Sequence, residues 1–257
     1  MGIKMDEKEK NGYEPMIQKS MEKSKKSKFA NYSDMFVGKR GFLAFLKYEF
    51  LTTWFSNCPG AIGIALRSVF YKFLFKKVGK GVVFGKSVTI RNPYKIVIGN
   101  NVIIDENVML DAKGADNQGI VLENGVFLGR NTILSCKNGD ITLKENVNIG
   151  FNCEVYSLNK VEIGENTLIA AYTYIVGGGH TSEDADTAFR DQGKHAIGIK
   201  IGKNVWLGAK SVIMDGCSIG DNSIIGAGAI VTKDIPEYSI AVGMPAKVVK
   251  DRREKVE

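Results

Sequence analysis

The residues best suited to acid–base chemistry are the two histidines of the chain, His180 and His195, which both lie within residues 177–200. An imidazole has an unperturbed pKa of about 6.5, so near neutral pH it can take a proton from an alcohol while that alcohol attacks another group. His180 directly follows three consecutive glycines, at the point where a regular pattern breaks. We therefore identify His180 as the candidate general base and interpret His195 as a loop residue.

The cysteines offer no comparable site. They show neither Cys-x-x-Cys spacing nor a dense framework, which is typical of reduced thiols in a cytoplasmic protein. With two histidines and no other His/Cys cluster, the sequence predicts no catalytic metal. The four cysteines are Cys58, Cys136, Cys153 and Cys217.

A repeat of six residues surrounds residues 177–200 and must position their side chains. A step of six fits neither a helical face nor the alternation of a single strand, so it is a repeat in its own right. Three short extended segments per turn would form a triangular prism with the aliphatic side chains stacked along its axis. Glycine follows the aliphatic residue in four blocks, which predicts tight corners where the backbone enters regions closed to residues with a Cβ. The aliphatic residues of the clearest run are Ile201, Leu207, Ile213, Ile219, Ile225 and Val231.

The same step runs back to Val78, with insertions that fall between triplets of blocks. A three-sided coil predicts this, because a loop at a corner leaves the stacked strands undisturbed. The longest interruption is residues 177–200, and an excursion of that length in a regular solenoid is more often functional than accidental. The earlier triplets open at Val78, Phe84 and Ile90; Ile98, Ile104 and Leu110; Leu122, Leu128 and Leu134; Leu143, Ile149 and Val155; and Ile163, Ile169 and Ile175.

The segments outside the repeat differ in composition. Residues 1–36 are rich in Lys, Glu and Ser and predict a disordered basic tail, and residues 250–257 predict a charged tail. Residues 37–77 predict a helical hairpin, with helices over about 41–55 and 61–77. In the first helix, one stripe is formed by Leu43, Leu46, Phe50 and Trp54. This hairpin is either a cap on the end of the prism or a surface for peripheral contact with an anionic membrane, and the two roles are compatible.

The net charge is +7 and the isoelectric point is near 9.1. Such a balance suggests acidic partners, among them phosphorylated metabolites, an anionic membrane surface or nucleic acid, and the charge alone does not choose among them. The basic residues concentrate in a tail and the hairpin without a recognised nucleic-acid module, so we expect no nucleic acid.

The segment over residues 201–249 resembles the hexapeptide-repeat acyltransferases, and the likeness extends over roughly residues 78–249. It is most similar to the galactoside and maltose O-acetyltransferases and to O-acetyltransferases of polysaccharide synthesis. This resemblance implies an all-β solenoid, a left-handed parallel β-helix. It further implies a homotrimer with sites between neighbouring prisms, acetyl-CoA as acyl donor and a carbohydrate as acceptor.

The resemblance also assigns residues around the reacting groups. His180 stands where this family has its catalytic histidine, so it would deprotonate the acceptor hydroxyl. Asn152 matches an asparagine that contacts the acceptor sugar, and Trp206 matches an aromatic residue of the acyl-donor channel. Asp184 and Gln192 are polar residues of the loop and are expected to hydrogen-bond the acceptor.

For coenzyme A, the resemblance points to the backbone at Ala209 and Ala227, where small side chains leave room for the pantetheine arm. Thr232 and Lys233 match positions near the nucleotide end, where a lysine offers a charge-assisted contact with phosphate. Lys247 is a further cation for the same end.

Two alternative functions stay open. One is N-acylation of an amino sugar on the same scaffold, although enzymes of that kind usually carry an additional N-terminal domain that residues 1–77 do not resemble. The other is a non-enzymatic structural or membrane-associated β-helix. The GGGHT, VTKDIP and GMPAK segments favour the enzyme.

Overall fold

A computed structural model describes residues 27–189 and 191–254. Its main body is a parallel β-solenoid with three faces, each a sheet of short strands from successive turns. The predicted architecture, a left-handed parallel β-helix with an N-terminal helical segment, is confirmed. Strands are numbered in chain order, and the faces are called first, second and third in the order in which the chain meets them.

The first face contains β1 (Lys77–Val78), β4 (Ile96–Ile98), β7 (Ile120–Leu122), β10 (Asp140–Leu143), β13 (Lys160–Ile163), β18 (Ile199–Ile201) and β21 (Ser218–Ile219). The second contains β2 (Val83–Phe84), β5 (Ile103–Ile104), β8 (Phe127–Leu128), β11 (Asn148–Ile149), β14 (Leu168–Ile169), β19 (Trp206–Leu207), β22 (Ile224–Ile225), β24 (Ser239–Val242) and β25 (Lys247–Asp251). The third contains β3 (Thr89–Arg91), β6 (Met109–Asp111), β9 (Ile133–Cys136), β12 (Glu154–Ser157), β15 (Tyr174–Gly177), β20 (Val212–Ile213) and β23 (Ile230–Val231). Outside the three faces, β16 (Gly179–His180) pairs with β17 (Lys194–His195).

The core is a set of aliphatic columns along the solenoid axis. On the first face, Leu143 pairs with Ile163, Ile163 with Ile201, and Ile201 with Ile219, all in parallel register. All four are buried. The step of six therefore selects the residues that point inward, and each turn covers the apolar surface of the turn below it.

The glycines that follow the aliphatic residues are needed for a different reason from the predicted one. Gly208 does not have a left-handed backbone, but a Cβ there would lie 2.5 Å from the Ala227 nitrogen of the next turn. The left-handed positions come later in each corner and are often asparagines, such as Asn131 and Asn152. Asparagine tolerates that conformation better than most residues. The glycines are thus selected by close contact between turns.

The N-terminal helices are α1 (Lys28–Tyr32), α2 (Phe42–Phe55) and α3 (Gly60–Phe70), with a π-helix at Ser33–Val37 and a 3₁₀ helix at Tyr71–Phe73. The prediction of a disordered tail over residues 1–36 is wrong for residues 28–36, and residues 1–26 lie outside the described residues. Two aromatic side chains, Phe29 and Tyr32, hold this segment against α2 in spite of its polar composition. Phe29 packs edge-on against Phe45, and the Tyr32 hydroxyl donates to the Glu49 carboxylate.

The helices cover the first turn of the solenoid, and α2 does so with the side opposite to its predicted apolar stripe. Tyr48 and Leu51 of α2 are buried, and the Tyr48 hydroxyl donates to the Ile90 carbonyl at 2.7 Å. Arg67 of α3 is only 1% exposed. The predicted stripe points to solvent instead, and its residues are Leu43, Leu46, Phe50 and Trp54.

The C-terminal end also differs from the prediction. Strand β24 continues the second face in parallel with β22, and β25 then pairs with β24 in the antiparallel direction. Regular pairing therefore extends to Asp251, two residues beyond the predicted end of the solenoid at residue 249. The Arg252 amide donates to the Tyr238 carbonyl and the Arg253 guanidinium lies over the Tyr238 ring, which fixes the first part of the predicted charged tail. Residues 255–257 lie outside the described residues.

Candidate functional site

The longest excursion from the solenoid leaves after β15 and returns at β18. Its neck is the antiparallel pair β16–β17, in which Gly179 lies opposite His195 and His180 opposite Lys194. The Thr181 amide donates to the Gly193 carbonyl at 3.0 Å and extends this neck by one step. Both histidines, 15 positions apart in the sequence, are thereby brought to the same place at the base of the loop.

The tip of the loop is held by two of the predicted acceptor-binding residues. The Gln192 side-chain amide donates to the carbonyls of Asp184 and Thr187 at 2.8 and 2.7 Å. The Asp184 carboxylate accepts from the Thr187 hydroxyl and from the Asp186 amide. These hydrogen bonds lower the pKa of the Asp184 carboxyl group, and the bond from the Thr187 hydroxyl has the largest effect. Gln192 is 8% exposed, whereas Asp184 is exposed to solvent.

A cleft of about 390 Å³ lies between the neck and the solenoid. His180 and His195 both line it, and neither is buried. The other lining residues are Val176, Gly178, Gly179, Thr181, Ser182, Glu183, Ile197, Met214 and Asp215. An imidazole at this position is accessible to a substrate and to water, as a base that takes a proton from a bound alcohol must be.

Asp215 is a residue of the cleft that the sequence reasoning missed. Its carboxylate accepts from the backbone amides of Ile197 and Gly198 at 2.8 and 2.9 Å, which anchors the returning end of the loop. The same carboxylate lies 3.6 Å from Nδ1 of His195. No local pattern in the sequence marks Asp215. Asp140, the first residue of β10 on the first face, also accepts from two backbone amides, but through Oδ1 alone.

The third face has two edges, and the predicted site residues divide between them. We call the corner where the chain enters this face from the second face the entry edge. Asn152, Ala209 and Ala227 belong to it on different turns. Successive turns are linked there by the amides of Tyr172, Lys210 and Gly228, which donate to the carbonyls of Phe151, Ala171 and Ala209 at 3.1, 3.0 and 2.8 Å.

Two further predicted donor-binding residues lie close to the entry edge. Trp206 is 53% exposed on the second face, three positions before Ala209. Lys247 is exposed at the start of β25, opposite Val242. A Cβ on Gly226 would lie 2.7 Å from the Val242 side chain, so Lys247 is beside the turn that carries Ala227.

We call the opposite corner, where the chain leaves the third face, the exit edge. The neck with His180 follows β15 at this edge, Asp215 follows β20, and the exposed pair Thr232 and Lys233 follows β23. The Met214 amide donates to the Val231 carbonyl at 3.0 Å and joins the last two of these turns. Within one chain, the structure therefore brings His180, Thr232 and Lys233 to one edge and leaves Asn152, Ala209 and Ala227 on the other.

Asn152 also has a structural use at its corner. Its backbone is left-handed, with φ of 54°, and its Oδ1 accepts from the Asn131 side chain at 2.9 Å. Within the described part of the chain, the Asn152 side chain is hydrogen-bonded through Oδ1 and not through its amide nitrogen. That nitrogen is therefore the group with which Asn152 could donate to a sugar hydroxyl.

In the described part of the chain, no three His, Cys, Asp or Glu residues come together in an arrangement that could hold a metal ion. The side chains that line the cleft include two imidazoles, carboxylates and hydroxyls.

Comparison with known proteins gives the class of this chain. Residues 198–233 match the profile of the bacterial transferase hexapeptide (six repeats), and residues 77–112 match that of the hexapeptide repeat of succinyl-transferase. The galactoside O-acetyltransferase of Escherichia coli is 32% identical over 165 residues, which is 62% of this chain and 80% of that protein. The chain belongs to the hexapeptide-repeat family of acyltransferases.

Two other relatives extend the comparison. A probable acetyltransferase of Mycobacterium tuberculosis is 34% identical over 128 residues, which is 50% of this chain but only 43% of that protein. Among solved structures, a mutant of AntD, an N-acyltransferase from Bacillus cereus in complex with dTDP and coenzyme A, superimposes with a TM-score of 0.50. It covers 70% of this chain and 85% of its own at 23% identity, so it supports the fold alone.

Proposed function

We propose that this protein is an acetyl-CoA-dependent O-acetyltransferase that modifies a hydroxyl of a sugar or of a surface-glycan precursor. The observation that carries the proposal is the position of His180, exposed in a cleft at the neck of the loop. Family membership and the galactoside O-acetyltransferase among the relatives support the choice of reaction and acceptor class.

In the proposed reaction, His180 takes the proton of the acceptor hydroxyl while the oxygen attacks the thioester carbonyl. The tetrahedral oxyanion then collapses, the C–S bond breaks, and coenzyme A leaves as thiolate, which recovers a proton from the imidazolium or from water. Base catalysis of this kind contributes about 10² to 10⁴ in rate. Positioning of the two substrates must supply much of the remainder.

We further propose a homotrimer in which each site combines the exit edge of one prism with the entry edge of the next. The division of the residues supports this, because His180 and Asn152 lie on opposite edges of the third face within one chain. In such an assembly, His180, Thr232 and Lys233 of one chain would face Asn152, Ala209 and Ala227 of its neighbour. A closed ring with head-to-tail interfaces satisfies this requirement at every site.

The donor would run along the entry edge, where Ala209 and Ala227 stack on successive turns beside Trp206. Lysine ammonium groups favour phosphate oxygens, so Lys233 and Lys247 are proposed for the nucleotide end, together with the Thr232 hydroxyl. We keep Asn152 and Asp184 as proposed acceptor contacts. The amide of Gln192 is already used within the loop, which favours a role in shaping the loop over direct contact with the sugar.

We propose that the reaction takes place in the cytoplasm. All four cysteines are free thiols, and burial raises the pKa of Cys136, Cys153 and Cys217. Thiols of this kind persist in a reducing compartment.

The test is release of free coenzyme A thiol from acetyl-CoA with a panel of simple, nucleotide-linked and lipid-linked sugars. His180→Ala should lower acceptor-dependent release by about 10² to 10⁴. His195→Ala is the matched control, because it removes the other imidazole of the same cleft; we expect it to retain most activity. Release only with amino sugars would replace the O-acetyl assignment by N-acylation. No release and no binding of coenzyme A would favour the non-enzymatic function.

A further inference from the structure

The outward side of the N-terminal helices is apolar. Six residues define it, and we call them the hairpin patch: Leu43, Leu46, Phe50 and Trp54 of α2, with Ile62 and Val69 of α3. Leu43, Trp54 and Ile62 are 81%, 68% and 72% exposed. A helix on the surface of a water-soluble protein ordinarily turns charged and polar residues outward. A continuous exposed apolar area marks a surface that something else covers.

The orientation of the helices is fixed by polar contacts on their inner side. Tyr48 donates to Ile90 as described, and Arg67 donates to the carbonyls of Phe84, Phe55 and Cys58 at 2.9, 3.0 and 2.7 Å. Rotation of either helix to bury the patch would break these bonds and leave buried polar groups without partners. The apolar side therefore faces outward in a well-defined arrangement.

The two helices present one surface. The rings of Phe55 on α2 and Phe70 on α3 stack with their centroids 4.6 Å apart. On the outer side, Nζ of Lys47 donates to the Phe73 carbonyl at 2.9 Å. These contacts hold the exposed sides of α2 and α3 next to each other, so the patch can meet one partner surface.

The charges in the helical segment are mostly positive. Between residues 41 and 80 the only carboxylate is Glu49, and it accepts from the Tyr32 hydroxyl. Lys47, Lys72, Lys76 and Lys77 are exposed around the helices. A basic cluster beside an amphipathic helix is typical of binding to anionic lipid.

We propose that the hairpin patch docks on the surface of a membrane that contains anionic phospholipid. Trp and Phe side chains enter the region between headgroups and acyl chains, while the lysine stems extend along the apolar layer and their ammonium groups meet phosphates. A second copy of this chain would oppose lysine to lysine, which disfavours it as the occupant. None of the described helices is long and apolar enough to cross a bilayer.

The experiment is co-flotation of the full-length protein with vesicles of phosphatidylcholine alone or with phosphatidylglycerol added. We expect flotation with the anionic vesicles and its weakening by salt. The double variant Leu43→Glu/Trp54→Glu should reduce binding by about tenfold or more. Val249→Glu is the matched control, since Val249 is an exposed apolar residue at the other end of the chain. Lys72→Glu/Lys76→Glu should remove the preference for anionic lipid.

Equal flotation of the wild type and the double Glu variant would overturn the proposal, as would equal binding to neutral and anionic vesicles. A change in subunit number caused by the double variant in lipid-free solution would assign the patch to a second copy. Flotation that appears only after residues 1–26 are deleted would mean that this segment, and not a membrane, covers the hairpin patch in the full-length protein. Coenzyme A release with a soluble acceptor tests the reaction separately, because the patch residues are not among those that line the cleft.

Discussion

At the scale of single residues, Asp215 links the loop to the solenoid. Its two oxygens accept from consecutive backbone amides, and the same carboxylate lies beside His195. The Asp215 carboxylate thus fixes the position of the returning strand of the neck. That strand forms one wall of the cleft. This is a positioning role, because Asp215 acts through the loop.

We expect Asp215→Asn to lower acetyl transfer by about tenfold, since an amide retains one acceptor oxygen and loses the other. Asp140→Asn is a control for removal of a carboxylate charge away from the cleft. Asp140 accepts from the amides of Gln118 and Gly119 at 2.7 and 2.8 Å, on a turn that does not line the cleft. The measurement is kcat/KM, with the melting temperature of each variant beside it. If both variants lose activity in proportion to stability, Asp215 has no special place in the cleft.

The candidate base could be predicted from the sequence, whereas its surroundings could not. His180 is visible because it directly follows three glycines where the step of six stops, and both properties are local. Asp215 is distant from both histidines in the sequence, and its role depends on which turns stack. The use of Gln192 inside the loop depends likewise on the folded path of residues 181–193, which has no periodic pattern.

At the scale of elements, α3 is held on the solenoid by a buried guanidinium. Arg67 donates to four backbone carbonyls: Phe55 at the end of α2, Ser56 and Cys58 in the link between the helices, and Phe84 in β2. This one side chain joins three segments that a sequence pattern treats as separate.

Arg67→Met should destabilise the protein by about 2–5 kcal/mol, because it leaves buried carbonyls without donors. Arg67→Lys retains a charge and part of the hydrogen bonding, so its loss should be smaller. Lys72→Met, which removes a cation from the exposed surface nearby, should change stability by less than about 0.5 kcal/mol. Chemical denaturation measures all three. A neutral Arg67→Met would show that the helices dock through their apolar contacts alone.

The strands were predicted more accurately than the helices for a physical reason. A strand of the solenoid is specified by its position in the step of six, and Ile163 and Ile201 are buried in the columns that the step selects. A helix with apolar residues on more than one side can dock in more than one orientation. For α2, the choice is made by the Tyr48 hydroxyl, which finds a carbonyl only in the folded structure.

At the scale of the whole molecule, the proposed trimer makes a prediction about mixtures of inactive chains. His180→Ala removes an exit-edge group, and Ala227→Trp blocks the entry edge where the donor is proposed to run. When the two inactive proteins are unfolded and refolded together, random assortment should restore about a quarter of the wild-type sites. Each restored site would pair an intact exit edge with an intact entry edge.

The measurement is coenzyme A release after co-refolding, compared with each variant refolded alone. Co-refolded trimers that stay inactive would place all the reacting groups within one chain.

The antiparallel strand β25 has a consequence for how such a chain behaves at high concentration. A stack of parallel strands presents unpaired amides and carbonyls at its two ends, and these are templates for joining further copies end to end. At the N-terminal end, α2 and α3 cover the first turn. At the other end, β25 runs against the direction of the second face and pairs with β24, so an incoming parallel segment meets a strand of the wrong polarity there. These two coverings oppose end-to-end growth by strand pairing.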